Sequence, residues 1–495
     1  MMLKSFVPSL RVRVVNDFPA NANGRGKYVL YWMTAFRRGT SNFALQRAVE
    51  LGQEHNCPVL VFEALRVGYR WANDRLHHFV IQGMADNQAF FAKRGVTYYP
   101  YLEKRVGDGS GLLAALADSA VAVVGDDFPC FFLPAMTRTA ARQIKGRFEL
   151  VDSNGLLPMR AADKVFVRAH YFRRFLHKNL RPHLDDVPDT DPLSRSTCTQ
   201  AAEVPPPIAE RWPSAEVEKL AQDTGLLSSF PINHNVRPSE IKGGVRAAQT
   251  LLKQFVRQRL DAYDVDRNHP DSNGSSGFSP YLHFGHLSSH EVFSAVMKAD
   301  GWQRDDISDK PTGSREGWWN ASPFVEAFLD EFITWRELGY NMCWQQPDYD
   351  RYESLPEWAQ KTLQEHERDP REHIYTLEEF EQSQTHDELW NAAQRQLVLE
   401  GRIHNYLRML WGKKILQWTP DARTALAVMI ELNNKYALDG RNPNSYSGIF
   451  WVLGRYDRAW GPERKIFGKI RYMTSDNTAR KVRLKQYLNK YGELP

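Results

Sequence analysis

Several features that would classify a chain quickly are scarce here. Only four cysteines occur in 495 residues, Cys57, Cys130, Cys198 and Cys343, with no CxxC pair and no adjacent histidine. That argues against a disulfide framework or a zinc site of ordinary spacing and for a reducing compartment. No apolar run reaches the roughly 18 residues that a membrane-spanning helix needs. The N-terminus MMLKSFVPSLRVRVV lacks an apolar signal core before a small-residue cleavage site. A cytosolic or nucleoid-facing protein is expected. The net charge of +5 is small for this length and does not by itself indicate nucleic acid. There is no internal repeat, no low-complexity tract and, beyond Pro238, no period-2 alternation of any length. Gly107-Asp-Gly-Ser-Gly111 lacks both the GxGxxG spacing and a convincing preceding strand, so it reads as a turn-rich loop.

What is present is a globular composition, 42% hydrophobic and 25% charged, on a chain too long for one core. Residues 1–27 read as a mixed, mildly basic N-terminal extension. From Lys27 short apolar runs recur at Tyr28–Met33, Val59–Phe62, Val96–Tyr99, Val121–Gly125 and Phe148–Val151. Helical periodicity fills the gaps, over Asn42–His55, Asp74–Lys93, Leu112–Ser119 and Leu133–Lys145. Strands alternating with helices predict a parallel sheet covered on both faces, an α/β domain over 28–180. Ligands of such sheets bind beyond the carboxyl ends of the strands, here Thr34–Asn42, Glu63–Asn73 and Asp126–Cys130. Residues 181–237 read as an exposed interdomain linker, rich in Pro, Asp, Ser and Thr without periodicity. The remainder, 238–495, is predicted to be a larger all-α domain, with helices including Ile241–Tyr263, Pro323–Cys343, Asp387–Gly412 and Asp421–Asn434.

The stretch from Glu400 to Trp460 interleaves Trp, Tyr and Phe with Arg, Asn and Asp. A core built for stability alone prefers Leu, Ile and Val, which carry no polar tip needing a partner. Flat rings beside fixed polar groups suit a planar ligand, a nucleobase, or both, and equally an aromatic core with a solvated Arg face. Lys and Arg dominate from Gly461 to Pro495, as a phosphate-tracking surface or a solvated basic helix would require. Ser275, Ser276 and Ser279 lie in a Ser/Gly loop that opens a helix, which either caps that helix or holds phosphate oxygens. Glu331, Trp335 and Leu338 at i, i+4 and i+7 share one α-helical face. A carboxyl beside an indole on an apolar face is poorly solvated, so its pKa rises unless it pairs with Arg336 or Arg408. Trp411 and Trp418 are seven apart, with Trp390 earlier in the same region: core packing or a redox path. Arg408, Asn433 and Asp439 add charge and amide groups there.

Taken together, these motifs resemble those of the class II deoxyribodipyrimidine photolyases, within the photolyase/cryptochrome family. The resemblance is carried by SPYLHFG at 279–285, FLDEFITWRELGYN at 328–341, THDELWNAAQ at 385–394, EGRIHNYLRMLWGKKILQW at 400–418 and LNNKYALDGRNPNSYSGIFWVLGRYDRAW at 432–460. IFGKIRYM at 466–473, DDFPCFFLP at 126–134 and YWM at 31–33 extend it. It implies a Rossmann-like antenna-type domain and a helical domain that binds FAD, reduced in its active form, and UV-damaged DNA. The implied activity is light-driven repair of cyclobutane pyrimidine dimers by electron transfer to the flipped-out lesion. By motif, Tyr263, Ser275, Ser276, Phe278 and Ser279 would hold FAD phosphates and ribose. Arg408 and Asp439 would pair beside the isoalloxazine, with Asn433 at its N5 edge. Glu331 would hydrogen-bond the dimer carbonyl, and Trp335, Met409 and Trp451 would line its pocket. Trp411, Trp390 and Trp418 would carry photoreduction in an order left open. Arg267, Arg441 and the basic tail would contact DNA. A monomer is expected, cytoplasmic and nucleoid-associated on DNA if the source is prokaryotic.

The family's DNWAL-like segment reads Ser41-Asn42-Phe43-Ala44-Leu45 here, and Gly277-Phe278 stands where Asn-Leu or Asp-Leu is usual. The first leaves open whether an antenna chromophore, a deazaflavin or a folate, is bound. The rival implied by the same family is a cryptochrome-type photoreceptor without repair activity. Retention of Glu331, Trp335, Met409 and Trp451 speaks for repair. Repair of (6-4) photoproducts is disfavoured, because His404 stands alone where a His pair is usual. A flavin-free nucleic-acid-binding protein is the remaining alternative.

Overall fold

The computed structural model describes residues 6–22, 24–198 and 200–492. The apolar runs form strands β2 (Tyr28–Met33), β3 (Val59–Leu65), β4 (Thr97–Leu102), β5 (Ala120–Asp126) and β6 (Arg147–Val151). Every residue of β2 and β5 is buried, which is why these segments lack alternation. Helices α1 (Phe43–Glu54), α2 (Asp74–Ala92), α3 (Leu112–Asp118) and α4 (Leu133–Gln143) fall in the gaps. The first two are N-capped by Asn42 and Asn73, whose side chains accept from N–H groups of the first turn.

The sheet order is β1-β6-β5-β2-β3-β4. Its first strand, β1 (Val12–Val14), lies inside the segment expected as an extension and pairs antiparallel with β6, Val12 opposite Val151. Three residues are too few to display a period. Next to β1, Arg11 is fully buried, with its guanidinium donating to the Leu156 carbonyl at 2.7 Å. Strand order reverses between β2 and β5, where a doubly wound sheet opens its crevice. There the Asp126 carboxylate accepts from the N–H groups of Thr34, Ala35 and Phe36 at 2.8, 2.7 and 2.9 Å.

The expected linker is not an exposed tether. Ala202, Ile208 and Trp212 pack into the core beneath the sheet, and Val217, Leu227 and Phe230 pack on Val80, Ile81 and Met84 of α2. Its apolar anchors are spaced too irregularly to show a period, yet tertiary contact buries them. The chain divides into two compact units. One comprises Met1–Ala161, Asn179–Lys253 and Phe278–Ala295, and the other Ala162–Lys178, Gln254–Gly277 and Val296–Pro495. The cuts thus run through the segments expected as single domains.

Among its described residues the second unit is helical, with only isolated bridges of β type. Two long helices expected there are interrupted. Glu388–Glu400 ends at Gly401, whose φ of 71° forms a left-handed cap, before Asn405–Trp418 begins. Over Pro323–Gln345 the run is broken by a π-turn, Asp330–Trp335, between the helices Pro323–Leu329 and Arg336–Gln345. No helix among the described residues is long and apolar enough to cross a membrane.

Candidate cofactor and substrate site

The π-turn re-aims the face predicted from α-helical spacing. A wider turn shifts every following side chain, and such bulges recur at functional sites. Glu331 and Trp335 remain partly open, whereas Leu338 is fully buried, so the expected three-residue face is reduced to two. Glu331 pairs with neither Arg336 nor Arg408. Its Oε1 accepts from Arg267 Nη1 at 2.8 Å, and the Arg267 guanidinium lies 5.7 Å from the Tyr263 ring centre. Although 36% of the Glu331 side chain stays open, burial raises its pKa; Arg267 opposes this and Asp330 adds to it. Arg336 lies instead over the Tyr340 ring at 4.6 Å.

One turn of the helix Asn405–Trp418 sends three side chains in different directions. Arg408 Nη2 meets both Asp439 carboxylate oxygens at 3.3 Å. Met409 lines a cavity of about 460 Å³ whose walls also include Tyr406, Trp451, Trp460, Arg464 and Arg471. Trp411 donates from Nε1 to Gln394 Oε1 at 2.9 Å. Arg408 Nε and Gln394 Nε2 are buried without a hydrogen-bond partner among the described residues. Unpaired buried donors are costly unless a ligand meets them. Asn433 is buried nearby in sequence to Asp439, and its amide donates to Ser445 Oγ at 2.6 Å.

Cations and indoles alternate around the cavity residues Trp451, Trp460 and Arg471. Lys413 Nζ sits 4.9 Å from the Trp451 ring centre, Arg471 5.4 Å from Trp451 and 4.1 Å from Trp460, and Arg458 4.6 Å from Trp460. Asp457 fixes the stack, accepting from Arg471 Nε and Nη2 at 2.9 and 3.1 Å and from Trp460 Nε1 at 3.1 Å. Lys413 is fully buried and donates to the Val452 carbonyl at 2.5 Å. Burial lowers its pKa to about 7, with Asp457 opposing and Arg471 adding. Sequence reasoning missed Lys413 and Asp457 altogether. A lysine in a Lys-Lys pair and an aspartate between arginines both read as solvated surface.

Trp390 donates from Nε1 to the Trp411 carbonyl at 3.0 Å, and its ring lies 6.0 Å from that of Trp418 at 70°. Trp390 therefore stands between the other two.

A deoxyribodipyrimidine photo-lyase of Methanothermobacter thermautotrophicus is 33% identical to this chain over 476 residues, 95% of this chain and 97% of its own. The chain belongs to the deoxyribodipyrimidine photo-lyase family. By that membership it is an enzyme, a carbon–carbon lyase. Relatives of the same name from Oryza sativa subsp. japonica and Arabidopsis thaliana are 32% and 31% identical, over 97% and 93% of this chain and 90% and 88% of theirs. A bacterial class III photolyase from Agrobacterium tumefaciens shares the fold, with a TM-score of 0.68 at 17% identity over 94% of this chain and 86% of its own. No family model matches the chain.

Within this photo-lyase-family scaffold some expected site residues lie apart from their assigned surroundings. Arg441, expected at the DNA, is 3% exposed and donates to the carbonyls of Asn434 and Ala437, so its charge faces inward. Arg267 is likewise turned inward onto Glu331. Met409 and Trp451 line the cavity, whereas Glu331 and Trp335 are not part of its lining. In the Ser/Gly loop, the Ser275 carbonyl accepts from Arg259 Nη1 at 2.8 Å, Ser276 is partly open, the Phe278 side chain is buried and Ser279 is exposed. The loop divides between the units after Gly277, so only Ser275 and Ser276 share a unit with Tyr263, Arg408 and Asp439.

Proposed function

We propose that the chain is a class II photo-lyase that repairs cyclobutane pyrimidine dimers in UV-damaged DNA, acting as a monomer with reduced FAD in its helical unit. The observation that carries this reading is the single helical turn 408–411. It combines an ion pair to Asp439, a cavity-lining methionine and an indole anchored by Gln394.

The donor set fits the cofactor. Arg408 Nε and Gln394 Nε2 are unpaired buried donors, suited to the heteroatoms and phosphates of a dinucleotide. Tyr263, Ser275, Ser276, Arg408, Asn433 and Asp439 would hold FAD in the helical unit. Bound and reduced, the flavin supplies on illumination the electron that opens the cyclobutane ring and then takes it back, with no net redox change. Met409 and Trp451 give the flipped-out dimer apolar walls, easing extrusion of a damaged, poorly stacked base pair. A protonated Glu331 donates to the dimer carbonyl where negative charge develops. Burial and Asp330 favour that proton, and Arg267 opposes it. Arg464, Arg471 and Lys481 at the cavity supply sequence-independent attraction to phosphates.

An antenna chromophore at the sheet's switch point fits poorly, because Asp126 already consumes the backbone donors of Thr34, Ala35 and Phe36 there. The deciding experiment is illumination of the reduced protein with thymine-dimer DNA. Absorbance of the restored monomer bases should grow with light dose, and a flat trace under bound, reduced flavin overturns the reading.

A further inference from the structure

The π-turn that carries Glu331 is held by one buried ion pair and approached by a second, looser cation. Arg173, from the helix Ala169–Asn179, donates from Nε to Asp330 Oδ1 at 2.8 Å, and its Nη2 lies 2.7 Å from the same oxygen. Both side chains are 8% exposed. The same guanidinium donates from Nη1 to the Gly313 carbonyl at 3.2 Å, so the π-turn and the loop that precedes Pro323–Leu329 share one anchor. Gly313 is docked further, its carbonyl accepting from His170 Nδ1 at 3.1 Å and its N–H donating to His177 Nδ1 at 3.2 Å. At a φ of 77°, with His170 and Arg174 atoms 3.0 Å from where a Cβ would stand, the position requires glycine. Trp318 pins the other end of the loop, stacked on His177 at 4.5 Å. Between these anchors the Arg315 side chain is 67% exposed, with Nε 3.8 Å from Asp330 Oδ2, an attraction without a hydrogen bond.

A cation on an anchored loop that meets its carboxylate only loosely is free to leave it for a stronger anion. We propose that Arg315 contacts a phosphate of the docked DNA and thereby releases Asp330, so that Glu331 takes up its proton as the substrate arrives, a deepening that rests on the reading of Glu331 as donor to the dimer carbonyl. Arg315 and Asp330 act through Glu331, as positioning residues. The charges facing Glu331 are Arg267, bonded to it, Asp330 of the same π-turn and Arg315 of the loop, with the Tyr263 phenol beside them. Burial raises the Glu331 pKa and Arg267 opposes it; Asp330 adds to the rise and Arg315 opposes it too. Moving Arg315 onto a phosphate removes one of the two opposing charges and brings a negative one near, and both changes favour the protonated carboxyl. Arg173 keeps Asp330 in place throughout, because that pair is buried and hydrogen-bonded. The proton comes from solvent, to which 36% of the Glu331 side chain is open.

The test is calorimetric titration of the FAD-loaded protein with thymine-dimer DNA in the dark, in buffers of different ionisation enthalpy, which counts the protons taken up on binding. Wild type should take up protons at mildly acid to neutral pH, and its affinity should rise as pH falls through the same range. Glu331→Gln should abolish the uptake, Arg315→Ala should diminish it, and Arg315→Lys should restore it. Arg315→Ala should also lower the slope of log affinity against log salt by about 1, the share of one neutralised phosphate. No uptake in the wild type, or uptake that survives Glu331→Gln, overturns the proposal. Unchanged uptake in Arg315→Ala overturns the coupling of Arg315 to Glu331, and an unchanged salt slope overturns its contact with phosphate. Unchanged repair in Glu331→Ala instead strikes the reading of Glu331 as donor to the dimer, so the two failures are distinguishable.

Discussion

Two side chains in the helical unit are pushed toward their neutral forms, for the same physical reason. Glu331 is raised by burial, and the neutral carboxyl is the form that donates a hydrogen bond. Glu331→Ala should slow dimer repair about 10-fold or more while FAD stays bound, the scale of one lost transition-state donor. Repair yield per flavin under matched light checks this. Lys413 is lowered to about 7 by the same loss of water. Its unfolded counterpart titrates near ~10.4, so between these values the unfolded chain binds more protons and stability rises with pH. Lys413→Met should flatten that rise between neutral and alkaline pH, as read from urea midpoints. Glu331 could be singled out from the sequence because carboxyl and indole recur at helical spacing. Lys413 could not, since nothing local distinguishes a buried lysine from a solvated one.

At the scale of elements, the C-terminal helix Lys485–Tyr491 is tied to the helix Glu388–Glu400 through one carboxylate. Glu400 accepts from Lys490 at 2.6 Å, from Arg402 at 2.8 Å and from the Tyr491 hydroxyl. Burial would raise its pKa, but these donors outweigh it and bring it to about 2. A depressed carboxyl contributes stability that is complete above its unfolded pKa of ~4.3 and lost as pH falls toward the folded value. Hydrogen exchange in the C-terminal helix should therefore accelerate as pH drops through that window once intrinsic exchange is allowed for, and Glu400→Gln should remove much of the pH dependence. The hairpin between Glu388–Glu400 and Asn405–Trp418 brings Trp390 against Trp411. Trp411→Phe should block photoreduction of oxidised FAD yet leave repair by chemically reduced enzyme intact. Absorbance of the flavin during illumination separates the two. The helices were legible as helices, but the cap at Gly401 and the π-turn were not. A continuous periodic pattern shows neither a single left-handed residue nor one extra residue in a turn.

For the whole molecule, the basic residues matter through their arrangement, since a net charge of +5 is modest. Affinity for dimer-containing DNA should fall steeply with salt, and Arg464→Ala or Lys481→Ala should reduce the slope of log affinity against log salt by about 1 each if each neutralises one phosphate. Titration at several salt concentrations measures it. The sequence by itself determined the alternation of strands and helices in the first half, the helical second half and the family, because these follow from apolar periodicity and contiguous motifs. Only the tertiary structure decided that the Pro-rich segment packs as core, that β1 completes the sheet, and that Arg441 and Arg267 turn inward. Those facts depend on contacts between residues distant along the chain or on the side to which a residue turns, and local spacing carries information about neither.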